Sequence, residues 1–123
     1  MRRRTLAVAP FTAAVAALAV LACASPTLPL PPPEPPTMLQ GQDLDHINLV
    51  AGCGAAEPSA LIIVVNTNTS VPSGEQVRGT FADATCGSWQ VPNVFAHNGD
   101  VLNIQQEFGS ETSTVLTIQV RVP

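Results

Sequence analysis

The sequence predicts an all-β protein, an antiparallel sandwich of six or seven strands over residues 43–123, and three observations carry that expectation. Short apolar runs recur with a period of two, and no window keeps a helical spacing. Clusters of proline, glycine, asparagine and aspartate punctuate them. Beyond residue 23 the cysteines form one even pair, Cys53 and Cys86, which suits a small body that needs a covalent staple.

Each strand has its own signature. His46-Ile47-Asn48-Leu49 alternates, with Ile47 and Leu49 on one face, and Ala60 to Val65 is a continuous apolar run. Val77, Gly79 and Phe81 alternate with Arg78 and Thr80, and Trp89 and Val91 flank Gln90. Leu102, Ile104 and Phe108 are expected to share one face, with Asn103, Gln105 and Glu107 on the other. In Thr114 to Val122, Leu116, Ile118, Val120 and Val122 oppose Thr117, Gln119 and Arg121, as a sheet with one solvated face requires. Glu57-Pro58-Ser59, Val71-Pro72-Ser73-Gly74, Pro92-Asn93, His97-Asn98-Gly99-Asp100 and Gly109-Ser110 supply the turns.

The first 22 residues read as a signal peptide. Arg2, Arg3 and Arg4 precede an apolar run from Leu6 to Ala22 that ends in small residues. Val20-Leu21-Ala22-Cys23 resembles the lipobox of bacterial lipoproteins, in which Cys23 is acylated and becomes the new N-terminus. Ala22-Cys23-Ala24 also offers an A-x-A site with cleavage before Ser25, so anchored and freely secreted forms are both open. Either route removes Cys23 from thiol pairing and exports the chain, which leaves Cys53 and Cys86 to form a disulfide.

Residues 23–42 form a tether. Seven of the twelve prolines fall between Pro26 and Pro36, which excludes a helix or a central strand and favours an extended spacer. Beyond residue 22 only Arg78 and Arg121 stand against nine acidic residues, a net charge of −7, so nucleic acid is excluded as a partner.

Gly52-Cys53-Gly54-Ala55-Ala56-Glu57-Pro58-Ser59-Ala60-Leu61, Ala82-Asp83 through Gly87-Ser88-Trp89, and Gly99-Asp100-Val101-Leu102 together resemble the bacterial immunoglobulin-like domains of surface proteins and adhesins. The resemblance spans residues 43–123. It implies an immunoglobulin-like β-sandwich used as a spacer or binding module, with no catalytic residue. An antibody-type tryptophan would lie between the two cysteines in sequence, whereas Trp89 follows Cys86.

Catalytic chemistry has little to draw on. There are two histidines, His46 and His97, each expected to be a solvated surface residue, no lysine, no tyrosine and no G-x-S-x-G elbow, so the chain is read as a non-enzyme without a cofactor. Copper ligation would need cysteine, histidine and methionine on one loop, but Cys86 is followed by Gly87-Ser88-Trp89 and Met38 sits in the tether. Calcium is the more credible ion, with Asp43, Asp45, Asp83 and Asp100 as weak candidates near strand ends, although such aspartates commonly bond their own turns. Trp89 alternates in step with Val91 and is expected to pack in the core rather than present a sugar platform. The polar loop from Asn66 to Gly74, with Asn66, Asn68, Ser70 and Ser73, is the expected contact surface.

The expected role is therefore a non-catalytic exported module that binds or supports at the cell envelope. It would be held to the membrane by a lipid on Cys23 and would meet a protein or carbohydrate partner. A second reading is a small accessory or sensor domain that binds a metal ion, calcium before others, or a carbohydrate.

Overall fold

A computed structural model describes residues 28–123. The segment read as a signal peptide, residues 1–22, and Cys23 lie outside them. Eight strands form two antiparallel sheets, with no α-helix among the described residues. The strands are β1 (Thr37–Gln40), β2 (His46–Ala51), β3 (Leu61–Asn66), β4 (Val77–Phe81), β5 (Trp89–Phe95), β6 (Val101–Phe108), β7 (Glu111–Thr112) and β8 (Leu116–Gln119). A 3-10 turn, Ser73–Glu75, precedes β4.

One sheet has the order β1-β2-β5. The other has β4-β3-β6, with β7 and β8 following one another along the far flank of β6. The two inner faces meet in a core of Ile47, Leu49, Ala51, Trp89, Val91 and Val94 against Ile62, Val64, Leu102, Ile104 and Val120. The period-two expectation holds for β2, β3 and most of β6, where buried and half-buried residues alternate. At the C-terminus Leu116, Ile118, Val120 and Val122 do face inward, but pairing with β6 covers only Leu116–Gln119.

Two expectations are corrected. The segment 23–42 is not all tether, because β1 lies within it and pairs with β2 from Thr37↔Val50 to Gln40↔Ile47. The prolines before it also dock. Pro33 and Pro36 are buried, Glu34 N–H donates to Ala55 O at 2.8 Å, and Gln106 Nε2 donates to Pro31 O at 2.7 Å. An extended proline tract keeps its carbonyls as acceptors and its rings as apolar surface, so it can line a domain as well as space it.

The second correction follows from the first. Gln106, not Phe108, takes the inner position near the end of β6: Gln106 is 2% exposed, Phe108 46%. The Gln106 amide holds the covering segments, donating to Pro31 and accepting from Glu57 N–H, so burial leaves it satisfied.

In β4 the apolar residues face outward. Val77 is 55% and Phe81 71% exposed, while Arg78 and Thr80 take the half-buried inner positions. Alternation identified the strand and its two faces. It could not say which face the other sheet would cover.

Edge strand β5 tolerates Pro92 through a bulge. The register with β2 shifts between Ile47 and Leu49, Asn93 adopts φ 56°, and its N–H is taken up by Asn48 Oδ1 at 3.0 Å.

Candidate contact surface

The strand registers place the chemistry-bearing residues at two opposite ends of the sandwich. His46, Asn66, Phe95 and Val101 end their strands on one side; Ala51, Leu61, Phe81 and Trp89 end theirs on the other.

The first end carries a histidine–carboxylate network. His46 opens β2, with Nδ1 2.8 Å from Asp43 Oδ1 and Nε2 2.9 Å from Glu75 Oε1. An imidazole with an acceptor at each nitrogen is fully satisfied only as the imidazolium. The hydrogen bonds to Glu75 and then to Asp43 accordingly hold the His46 pKa above its ordinary value, and the His46 hydrogen bond holds Asp43 below its own. His97 Nε2 sits 2.8 Å from Asp45 Oδ1, and the edge of Phe95 separates the two imidazoles. His97 is the exposed surface residue expected, although it meets Asp45, whereas His46 is largely covered, with its side chain 19% exposed. Asp43 is three residues from His46, but Glu75 and Asp45 lie 29 and 52 residues from the histidines they meet.

Asn66, expected on the contact loop, is instead the buried last residue of β3, 1% exposed. Its Nδ2 donates to Phe95 O and to Asp100 Oδ2, both at 2.9 Å, so its amide ties the two sheets together. Asn68 likewise donates inward to Asp100 Oδ1 and caps Ser70 N–H. Ser70 and Ser73 remain exposed. Burial works to raise the Asp100 pKa, but the Asn66 amide, the His97 N–H and the Asn68 amide outweigh it and hold it below the usual carboxylate value.

The four aspartates considered for calcium are not brought together. Asp43, Asp45 and Asp100 are at the first end, each engaged as described. Asp83 is at the other, where its Oδ2 accepts Thr85 and Cys86 N–H groups and closes its own turn. Among the described residues no three histidine, cysteine, aspartate or glutamate side chains converge as metal ligands.

At the second end Cys53 and Cys86 form a disulfide with Cα atoms 4.9 Å apart. It joins the turn after β2 to the turn before β5, two strands already paired at Ala51↔Trp89, and so seals one end of a single sheet. Both sulfurs are consumed, which removes them from any copper site, and Met38 packs against the core. Backbone bonds continue the seal: Gly54 N–H donates to Cys86 O, and Ala56 N–H to Gly87 O. Gly87 has φ +78°, and a Cβ there would overlap the Ala56 carbonyl, so only glycine fits. Trp89 packs beside this seal, 4% exposed, with a buried Nε1 that has no hydrogen-bond partner.

The surface that remains is the outer face of β3 and β4. Leu61, Ile63 and Val65 stand opposite Phe81, Gly79 and Val77, giving six neighbouring positions without a charge or a polar side chain. Beside them, Asn103, Gln105 and Glu107 on β6 make the face polar again. Sheet faces turned to water are ordinarily polar, and an apolar patch rimmed by polar residues marks an interaction site. The alternation of Val77, Gly79 and Phe81 with Arg78 and Thr80 marks two faces in the sequence without showing which one stays exposed.

No family model, no curated protein and no solved structure matches this chain.

Proposed function

We propose that this chain is an exported, non-catalytic module of the cell envelope, an immunoglobulin-like sandwich held to the membrane by lipid on Cys23, which meets a protein partner through the outer face of β3 and β4. The observation that carries the binding role is the exposed apolar patch around Phe81 and Val77. The strand order supports the immunoglobulin-like reading. The β1-β2-β5 sheet follows the A-B-E order of constant-type domains and β3-β6-β8 follows C-F-G, while β4 pairs with β3 instead of joining the β5 edge. The export reading rests on Arg2 to Arg4, the Leu6–Ala22 run and the lipobox-like residues before Cys23.

Ion or sugar binding has less behind it. The candidate aspartates are divided between two ends, and the one tryptophan is buried.

The test expresses the full chain in a bacterial host and fractionates it. Membrane-bound protein carrying a lipid-sized mass increment at Cys23, with Cys23→Ala released from the membrane, supports the reading. Full-length protein that stays in the cytosol with residues 1–22 attached overturns it.

A further inference from the structure

We infer that β4 is a self-pairing edge: two copies of this chain join antiparallel through Val77–Phe81, with a two-fold axis at Gly79. The sandwich has four strand edges, and three are protected. Strand β1 is four residues long and follows Pro35-Pro36, β5 carries Pro92 and a bulge, and the β6 flank is covered by two short pieces, β7 and β8. Strand β4 has none of these devices. It pairs with β3 through five consecutive residues without a bulge and contains no proline. Its one charge, Arg78, lies on the inner side with Nη2 3.5 Å from Glu75 Oε1.

Hydrogen-bond direction decides the register. Ala82 N–H donates to Ala60 O, and Asn66 N–H donates to Gln76 O. Even-numbered residues of β4 therefore direct their backbone groups at β3, and Val77, Gly79 and Phe81 direct theirs at the open edge. Antiparallel pairing centred on Gly79 sets Gly79 against Gly79 of the second copy and Val77 against Phe81 of the second copy. All three resulting pairs are of the hydrogen-bonded kind, so no open donor or acceptor of the strand faces a mismatch.

The side chains agree with that register. Val77 and Phe81 lie on the outer face, so each phenylalanine lands beside a valine and the β3–β4 patches of both copies become continuous. Arg78 faces Thr80 of the second copy, and no like charges meet along the strand. The joined area is modest: even a fully buried phenylalanine contributes only about 150 to 250 Å². With five residues a side the interface falls below the ~1,200 Å² of standard stable complexes. The dimer is therefore weak and concentration-dependent in solution. Confinement on a membrane strengthens it by raising the effective concentration, a step that rests on the lipid anchor proposed above, whereas the pairing itself does not.

The test uses the exported, processed chain purified in detergent. Opposed residues of a hydrogen-bonded pair have Cα atoms about 5.5 Å apart, within disulfide reach, so Gly79→Cys should cross-link to double mass on oxidation. Val77→Cys should not, because its counterpart lies four residues away across the axis. Adding Phe81→Lys to Gly79→Cys should abolish the cross-link. Equal cross-linking of Gly79→Cys and Val77→Cys, or cross-linking by neither, overturns the register. A Cβ at Gly79 comes within 3.3 Å of Ile62 O, so an unaltered-strand arm is included. Wild type should double in sedimentation mass as concentration rises while Phe81→Lys stays monomeric, and identical behaviour of the two overturns the pairing. A mixed disulfide of Gly79→Cys with a different envelope protein overturns self-pairing yet leaves the binding role intact, so the two failures can be told apart.

Discussion

His46 Nε2 lies 2.9 Å from Glu75 Oε1, joining the first residue of β2 in one sheet to the 3-10 turn that introduces β4 in the other. The same ring holds Asp43 through Nδ1, so one imidazolium clasps two loops.

The clasp sets a pH optimum. The His46 pKa is raised on folding, so its contribution is fully present below the unfolded value near 6.5 and is lost as pH rises through the folded value. Asp43 and Asp100 are lowered, so theirs are present above the unfolded value near 3.8 and are lost as pH falls through the folded values. Stability should therefore peak between about pH 4 and 6.5. Denaturant melts across pH should show the alkaline decline in wild type, reduced in His46→Gln. An unchanged alkaline limb in that variant would refute the role of the clasp.

Asn66 is the polar tie in the core. Asn66→Leu removes the amide bonded to Phe95 O and Asp100 and leaves a partly buried carboxylate short of a donor. The expected loss is about 2 to 4 kcal/mol in urea unfolding. Asn68→Ala, nearer the surface, should cost less than half as much.

Disulfide reduction acts mainly on the unfolded chain. Opening the link between Cys53 and Cys86, 33 residues apart, should lower stability by ~3 to 4 kcal/mol, measured by denaturant midpoint with and without reductant. Intact mass should rise by one hydrogen per cysteine.

Gly87→Ala tests the seal beside that link. With positive φ and the Ala56 carbonyl in the way, it should destabilise by about 2 kcal/mol or more, measured by the shift in melting temperature. Gly74→Ala, where a Cβ meets open space, is the control and should lie within about 0.5 kcal/mol of wild type.

Trp89 is the only tryptophan, and its Nε1 is buried without a partner. Trp89→Phe removes the unpaired donor while keeping an aromatic ring, whereas Trp89→Ala should cost about 3 to 5 kcal/mol. Trp89→Phe should therefore lose under half as much stability in thermal melts.

Backbone chemistry and side-chain periodicity were enough for the all-β class, most strand positions and the pairing of Cys53 with Cys86, because these depend on neighbours within a few residues and on parity. What periodicity lacks is the identity of the covering surface. It separated Val77 and Phe81 from Arg78 and Thr80 without telling which set faces inward, because alternate residues look alike from either side, and it passed over Thr37–Gln40 because the prolines before that strand resemble a linker. The inward turn of Asn66 and the clasp at His46 depend on groups 29 to 34 residues away, a separation that no local pattern encodes. Tertiary structure alone decided which sheet face was buried, which proline segment docked and which edge stayed open, since each requires knowing what lies across the sandwich.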